Sequence, residues 1–231
     1  MFYPFDYYYL ILVVPALLFA AWAQAQVSGA YNRYSRVRVS RGMTGAMAAR
    51  RILDDNGLTG VRVERVAGKL SDHYDPGERV VRLSAGVYDS DSVASLGVAA
   101  HECGHAVQHA THYAPLTFRN AILPITNVGS KLSIPLIIVG LFLSGTLVDI
   151  GLLLFSLVAV FQLVTLPVEF NASSRALATL ENGNFLDRRE LEGARKVLRA
   201  AALTYVAALL TSLLYLARYV MVFLSMGRRD E

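Results

Sequence analysis

Five consecutive residues, His101-Glu102-Cys103-Gly104-His105, carry the spacing HExxH. On a helix a four-residue step turns about 400°, so the two imidazoles stand about 40° apart on one face. Two such imidazoles can hold one Zn2+, and Glu102 then stands beside the ion, placed to take a proton from a bound water. That chemistry is metal-assisted hydrolysis of a peptide bond. The plainer reading is an ordinary helix with charged residues along one side. Ala99, Ala100, Ala106 and Val107 flank the motif. An ionisable trio in an apolar helix must be paired or metal-bound to be tolerated, which favours a metal site.

Three protein ligands plus water make the catalytic zinc pattern. His109 and His112 lie further along the same segment. Successive turns separate by about 6 Å along the axis, so His101, His105 and His109 cannot comfortably share one ion. The better third ligand is Glu169, in Pro167-Val168-Glu169-Phe170-Asn171-Ala172-Ser173. Its blander use would be to favour the N-terminus of the helix it opens. The metal reading requires Glu169 to lie on the same side of any membrane as His105, and that depends on the elements between them.

Those elements are mostly apolar. Hydrophobic residues make up 54% of the 231 and charged residues only 17%, below the roughly 25% of soluble proteins. The apolar residues are blocked, which predicts an integral membrane protein. A first anchor is expected over 7–27, with Tyr7, Tyr8, Tyr9 and Trp22 as interfacial aromatics. Ala21-Trp22-Ala23 and Ala23-Gln24-Ala25 resemble a signal-peptide cleavage site, but Asp6 and the lack of Lys or Arg ahead of the apolar run argue for an uncleaved anchor. Residues 132–167 hold one charge, Asp149, and suffice for two crossings, a short first arm of about 132–146 with Pro135 and a second of about 148–166. A last span is expected over 202–226, with Arg218 snorkelling or facing protein.

Between the spans lie two polar stretches, 28–131 and 168–200. In the first, Thr44 to Asp55 reads as a helix stopped by Asn56-Gly57. Strands are expected at 61–66 and 79–83, with turns at Gly68 and Asp75-Pro76-Gly77. A helix capped by Asp89 or Ser90 then carries the HExxH residues to about Ala110. In the second stretch, Glu181-Asn182-Gly183 ends a helix and Asp187-x-x-Glu190 is the capping box of the next. The first stretch carries 13 of the 22 Lys and Arg and the second carries 6. Both are therefore expected to face the cytoplasm, with both chain ends outside, although Arg228 and Arg229 count mildly against an outer C-terminus. The double crossing brings Glu169 to the side of His105. The net charge of +4 reads as loop arginine, not as a nucleic-acid surface. Cys103 is the only cysteine, so no intramolecular disulfide is possible, and it reads as packing.

Four segments together are similar to the YugP-like family of membrane-bound neutral zinc metallopeptidases of bacteria. They are Gly68-Lys69-Leu70-Ser71-Asp72-His73-Tyr74-Asp75-Pro76, Val81-Arg82-Leu83-Ser84, Val98 through His109, and Leu166 through Ser173. The likeness covers nearly the whole chain. The Glu169-x-x-Ala172 step also resembles HtpX-type membrane proteases, in which that glutamate is the third zinc ligand and an aspartate often follows the alanine. Here Ser173 follows, which leaves one histidine without the carboxylate expected behind it. The resemblance implies a mostly α membrane protein with about four transmembrane helices and a small α+β, zincin-like (gluzincin-type) cytoplasmic catalytic region. It implies a multi-pass protein of the bacterial inner membrane that cleaves protein or peptide substrates without naming them; a cytoplasmic site close to the bilayer would suit membrane proteins as substrates.

On this reading His101, His105 and Glu169 hold Zn2+, and Glu102 is the general base. The oxyanion needs a further donor, for which His73 and Tyr74 are candidates, although Asp72-His73-Tyr74-Asp75 reads equally as a hydrogen-bonded turn. The 79–83 strand is a candidate for edge pairing with an extended peptide, or else a core strand. Two other classes remain: a catalytically inactive, zinc-stabilised membrane scaffold or regulatory protein, and a transport component. Asp149 and Arg218 alone are thin provision for a polar pathway.

Overall fold

A computed structural model describes residues 6–227. The chain is a mostly α membrane protein with one small sheet. Among the described residues four helices are long and apolar enough to cross a bilayer: Tyr9–Tyr34, Ala114–Leu143, Gly145–Asn182 and Arg188–Ser225. Arg228 and Arg229 lie outside the described residues. The chain divides into two compact units. One takes in the residues up to Ala23, Phe118–Leu166 and those from Thr204 onward; the other is Gln24–Thr117 with Pro167–Leu203.

In the first unit a π-helical turn, Tyr9–Val13, runs into α1, Val14–Tyr34. Helices α5 (Ala114–Leu143) and α6 (Gly145–Asn182) supply the hairpin, turning at Ser144. The first arm is therefore twice the expected length. It starts at Ala114, not near 132, because its polar residues do not break the helix. Thr126 donates its hydroxyl to the Ile122 carbonyl, and Ser130 donates to Asn127. The Arg119 guanidinium lies 5.6 Å from the centre of the Phe161 ring. Pro124 and Pro135 sit within this helix, as membrane helices tolerate. Small residues let the arms touch. A Cβ on Gly151 would lie 2.9 Å from the Ser133 carbonyl oxygen, and one on Gly140 would lie 2.6 Å from the Val148 nitrogen.

The last helix, α7 (Arg188–Gly227), is also continuous, with no break near 201. Arg218 neither snorkels nor stands alone. It is buried, and its guanidinium grips the Asp6 carboxylate at 2.8 Å (Nη2–Oδ2) and 3.4 Å (Nε–Oδ1). The Tyr9 and Tyr219 rings lie 5.3 and 5.5 Å from it.

The second unit holds the sheet. Helix α2, Gly45–Asp55, starts where the Thr44 hydroxyl accepts from the Met47 N–H and stops at Asn56 and the left-handed Gly57. Strands β1 (Arg62–Val66), β2 (His73–Asp75) and β3 (Val80–Ser84) follow in spatial order β1-β3-β2. β1 runs parallel to β3, pairing Val63 with Val81; β2 runs antiparallel to it, pairing Tyr74 with Val81. The strand near 80 is therefore central, with both edges occupied, and cannot take an incoming peptide. Sequence inspection misses β2 because it is only three residues long and abuts an Asx turn, in which Asp75 accepts from the N–H groups of Gly77 and Glu78. Arg82 ties the strands together from the central position, bonding Glu64, Asp75 and Glu78.

A short helix α3, Ala85–Tyr88, precedes α4, Val93–Ala110. The intervening α3 uses Asp89 as its C-cap, so α4 is capped by Ser92, whose hydroxyl accepts from the Ser95 N–H at 3.1 Å, and not by Asp89 or Ser90. The expected capping box before α7 is present: Asp187 accepts from the Glu190 N–H and Glu190 from the Asp187 N–H, each at 2.8 Å. Ile52, Leu53, Leu83, Leu96, Leu180 and Phe185 fill the core between these elements.

Candidate metal centre

The HExxH residues occupy the second half of α4. Twelve of its residues, from Val93 to Gln108, are buried, so the helix is held on most sides and its histidines have little freedom. Opposite them runs the C-terminal part of α6. Glu169 does not open a helix. It lies inside α6, which continues straight through Pro167, so its carboxylate cannot be serving a helix N-terminus.

Gly104 sets how closely the two helices approach. A Cβ there would stand 2.8 Å from the Ala172 carbonyl oxygen and 3.2 Å from its Cα. Backbone meets backbone at this point. Glu169 lies about one turn before Ala172, so its side chain reaches the histidine face of α4. Its Oε2 lies 3.2 Å from His101 Nε2 and 3.6 Å from His105 Nε2. The imidazole rings stand edge to face with centroids 4.8 Å apart.

The ligand-capable atoms of His101, His105 and Glu169 fall within 4.8 Å of one another. Around an ion with bonds of about 2 Å, adjacent tetrahedral ligands are separated by about 3.3 Å. The nitrogen–oxygen separations match that edge. The donor set, two imidazoles and a carboxylate, suits zinc. The His101 and His105 side chains keep 14% of their surface exposed, while Glu169 keeps 4%, so the trio is anchored inside yet open on the histidine side.

The outer ring nitrogens are also engaged. His105 Nδ1 meets Gln108 Oε1 at 3.0 Å. Gln108 is fully buried, and its Nε2 donates to the Val168 carbonyl at 2.8 Å and to Asn171 Oδ1 at 3.0 Å. Arg175 donates to the same Asn171 oxygen at 2.8 Å. With its amide nitrogen spent on two acceptors, Gln108 presents oxygen to His105. The neutral ring then carries its proton on Nδ1, which leaves Nε2, facing Glu169, to take up a metal or a second proton. His101 Nδ1 meets the Ser173 hydroxyl at 3.1 Å. A serine thus stands where the resemblance led us to expect a carboxylate. Burial works against a charged His105, yet the Glu169 hydrogen bond and the Glu102 charge outweigh it and raise its pKa. The site favours positive charge.

Glu102 is buried on α4 beside these ligands. Tyr74 is not brought into hydrogen-bond contact with the trio; its hydroxyl lies 2.8 Å from His109 Nδ1, one turn beyond His105. His73 is exposed, with Nδ1 2.8 Å from the Ser71 carbonyl oxygen. Cys103 points the other way, its thiol 3.6 Å from the Ala49 carbonyl oxygen, and burial pushes its pKa well above the usual thiol range. Sequence reasoning gave no role to Gln108, Asn171 or Arg175. The available signal was their spacing: three residues past His105 for Gln108, and the i,i+4 pair Asn171–Arg175.

Comparison with known proteins agrees with this chemistry. Residues 9–224 match the family model described as "Putative neutral zinc metallopeptidase". The chain is 50% identical over 225 residues to the "Putative membrane protease YugP" of Bacillus subtilis (strain 168), covering 96% of this chain and 99% of that protein. No solved structure matches.

Proposed function

This chain belongs to the family of neutral zinc metallopeptidases, and from that premise we propose that it is a membrane-tethered endopeptidase with His101, His105 and Glu169 as metal ligands and Glu102 as general base. One observation carries the reading: both Nε2 atoms and a Glu169 oxygen converge at 3.2 and 3.6 Å while both Nδ1 atoms are held from behind. A bound zinc ion supplies Lewis acidity and lowers the pKa of a water towards about 7. Glu102 accepts the proton of the attacking water and delivers it to the leaving amine nitrogen. Its burial keeps that proton from bulk solvent.

Tyr74 is the better candidate for the oxyanion donor, because it reaches towards α4 while His73 faces solvent. Burial, with Asp75, raises its pKa against the pull of Arg79, so the phenol stays a donor at neutral pH. An extended substrate would lie along β2, whose outer edge is unpaired among the described residues and whose Tyr74 packs on His109. The arginine distribution supports a site on the cytoplasmic side of the bacterial inner membrane, with protein or peptide substrates that include membrane proteins.

The test is to measure bound zinc and hydrolysis of an unfolded protein by wild type, Glu102→Gln and Glu169→Ala. Glu102→Gln keeps its zinc and loses cleavage; Glu169→Ala loses both. Cleavage undiminished in Glu102→Gln would exclude the general-base role and leave a zinc-stabilised scaffold.

A further inference from the structure

Beyond the ligand trio, the C-terminal end of α4 and the turn after β2 enclose a cavity of about 220 Å³. Its apolar wall includes Leu58 and Val61; its polar wall is Tyr74, Arg79, His109 and His112. Every charged or chargeable side chain lining it is thus basic or a phenol. The carboxylates nearest Arg79 in sequence are already taken: Asp75 and Glu78 both bond Arg82. No carboxylate among the described residues lies within ion-pair distance of Arg79.

The backbone fixes where the two basic groups stand. Among the described residues four non-glycine residues adopt positive φ, and two of them, Arg79 (φ 51°) and His112 (φ 50°), line this cavity. Arg79 immediately precedes β3, and His112 follows Thr111, the C-cap of α4. Glycine or asparagine takes that conformation more cheaply. A basic side chain stands at both positions instead, and both address the same space. At His112 the conformation closes α4, with the Tyr113 N–H donating to the Gln108 carbonyl and the His112 N–H to the His109 carbonyl, and at Arg79 it closes the turn, so both basic side chains are set by local backbone geometry.

We propose that this cavity is a subsite for a carboxylate of the peptide substrate, with Arg79 and His112 as its recognition groups. The inference rests on the peptidase reading. The cavity adjoins the ligand helix, since Ala106 in its wall directly follows His105, and Tyr74 of β2 reaches it from the strand expected to bear the substrate. The carboxylate is either an aspartate or glutamate side chain or the substrate's own C-terminus; the chemistry of recognition is shared.

The experiment uses the full chain in detergent, carrying Glu102→Gln to prevent turnover, and three short peptides of one backbone. One has an internal glutamate and an amidated end, one is neutral with a free C-terminal carboxylate, and one is neutral and amidated. At least one carboxylate peptide should bind about tenfold more tightly than the neutral amide. Arg79→Gln should erase that preference. His112→Gly, which relieves the backbone, should leave the melting temperature equal or higher while reducing the preference. The arm that binds identifies the source of the carboxylate. Equal binding of all three peptides, binding of none, or a preference that survives Arg79→Gln overturns the subsite. The peptidase reading is judged separately, by hydrolysis of an unfolded protein by the wild type, and stands or falls without this cavity.

Discussion

Gly104 and Ala172 meet backbone to backbone: a Cβ on the glycine would stand 2.8 Å from the alanine carbonyl oxygen. The x-x of the HExxH motif is thus not free. The contact fixes the gap between α4 and α6, and that gap sets the distance from Glu169 to both histidines. Gly104→Ala must push α6 away, because the obstructing atom is main chain. We expect a loss of about 1–3 kcal/mol in stability, as for other overpacking changes, and a larger loss of zinc. Thermal melting and metal analysis of the purified variant check this. A variant with wild-type zinc content and melting temperature would refute the spacing argument.

Ser173 holds His101 by a hydroxyl where a carboxylate was expected. Partners behind metal-bound histidines are worth about 10–100-fold in affinity. Ser173→Ala should therefore weaken zinc binding within that range, measured by competition with a chelator of known affinity. Ser173→Asp should bind at least as tightly as wild type, since a carboxylate accepts the Nδ1 proton more strongly.

Gln108, itself buried, joins a hydrogen-bonded chain that runs from Arg175 through Asn171 to His105. Gln108→Leu fills similar space but leaves the His105 Nδ1–H without its partner, while Asn171 keeps only Arg175. The expected cost is about 1–3 kcal/mol in stability, together with weaker zinc binding. In cobalt-substituted protein the visible absorption bands should shift, because the His105 ring is no longer oriented. Unaltered bands would deny Gln108 a positioning role.

Cys103 lies inside the motif yet faces Ala49, and burial raises its thiol pKa. A raised thiol pKa keeps the neutral form across the working range, so little thiolate forms at pH 8. Native protein should resist iodoacetamide at that pH and become labelled only on denaturation. Cys103→Ala should retain hydrolysis. Rapid labelling of the folded protein would contradict the assigned burial.

Arg218 and Asp6 form a charge pair within the membrane-spanning unit. Asp6→Asn leaves a buried guanidinium without its counter-charge and should lower the melting temperature by an amount corresponding to about 3 kcal/mol. The exchange of both residues, Asp6→Arg with Arg218→Asp, should recover part of that loss. Failure of the exchange together with a silent Asp6→Asn would show the pair to be energetically idle.

The sequence made the convergence of His101, His105 and Glu169 legible because each part obeyed a local rule. His101 and His105 share a helix face, and Glu169 followed from counting crossings between 132 and 167. The start of α2 near Thr44 and the Asp187–Glu190 capping box could be read for the same reason. What was not legible depended on contacts between distant segments. Strand β2 is too short to show alternation and exists because β3 pairs with it. Gln108 looks like any polar residue until α6 brings Val168 and Asn171 beside it. Arg218 read as snorkelling or facing protein, and it faces protein; its partner Asp6 could not be named because 212 positions separate them.

The Asp6–Arg218 pair also bears on how the protein is made. Its two members are 212 residues apart, so at about 5–20 residues per second the ribosome finishes one roughly 10–40 s before the other. During that interval Asp6, just ahead of the first helix, has the Tyr9 N–H as a partner but lacks the guanidinium that α7 brings. The pair therefore marks completion: a chain that stops short of Arg218 carries an uncompensated charge in its membrane unit, and full-length synthesis removes it.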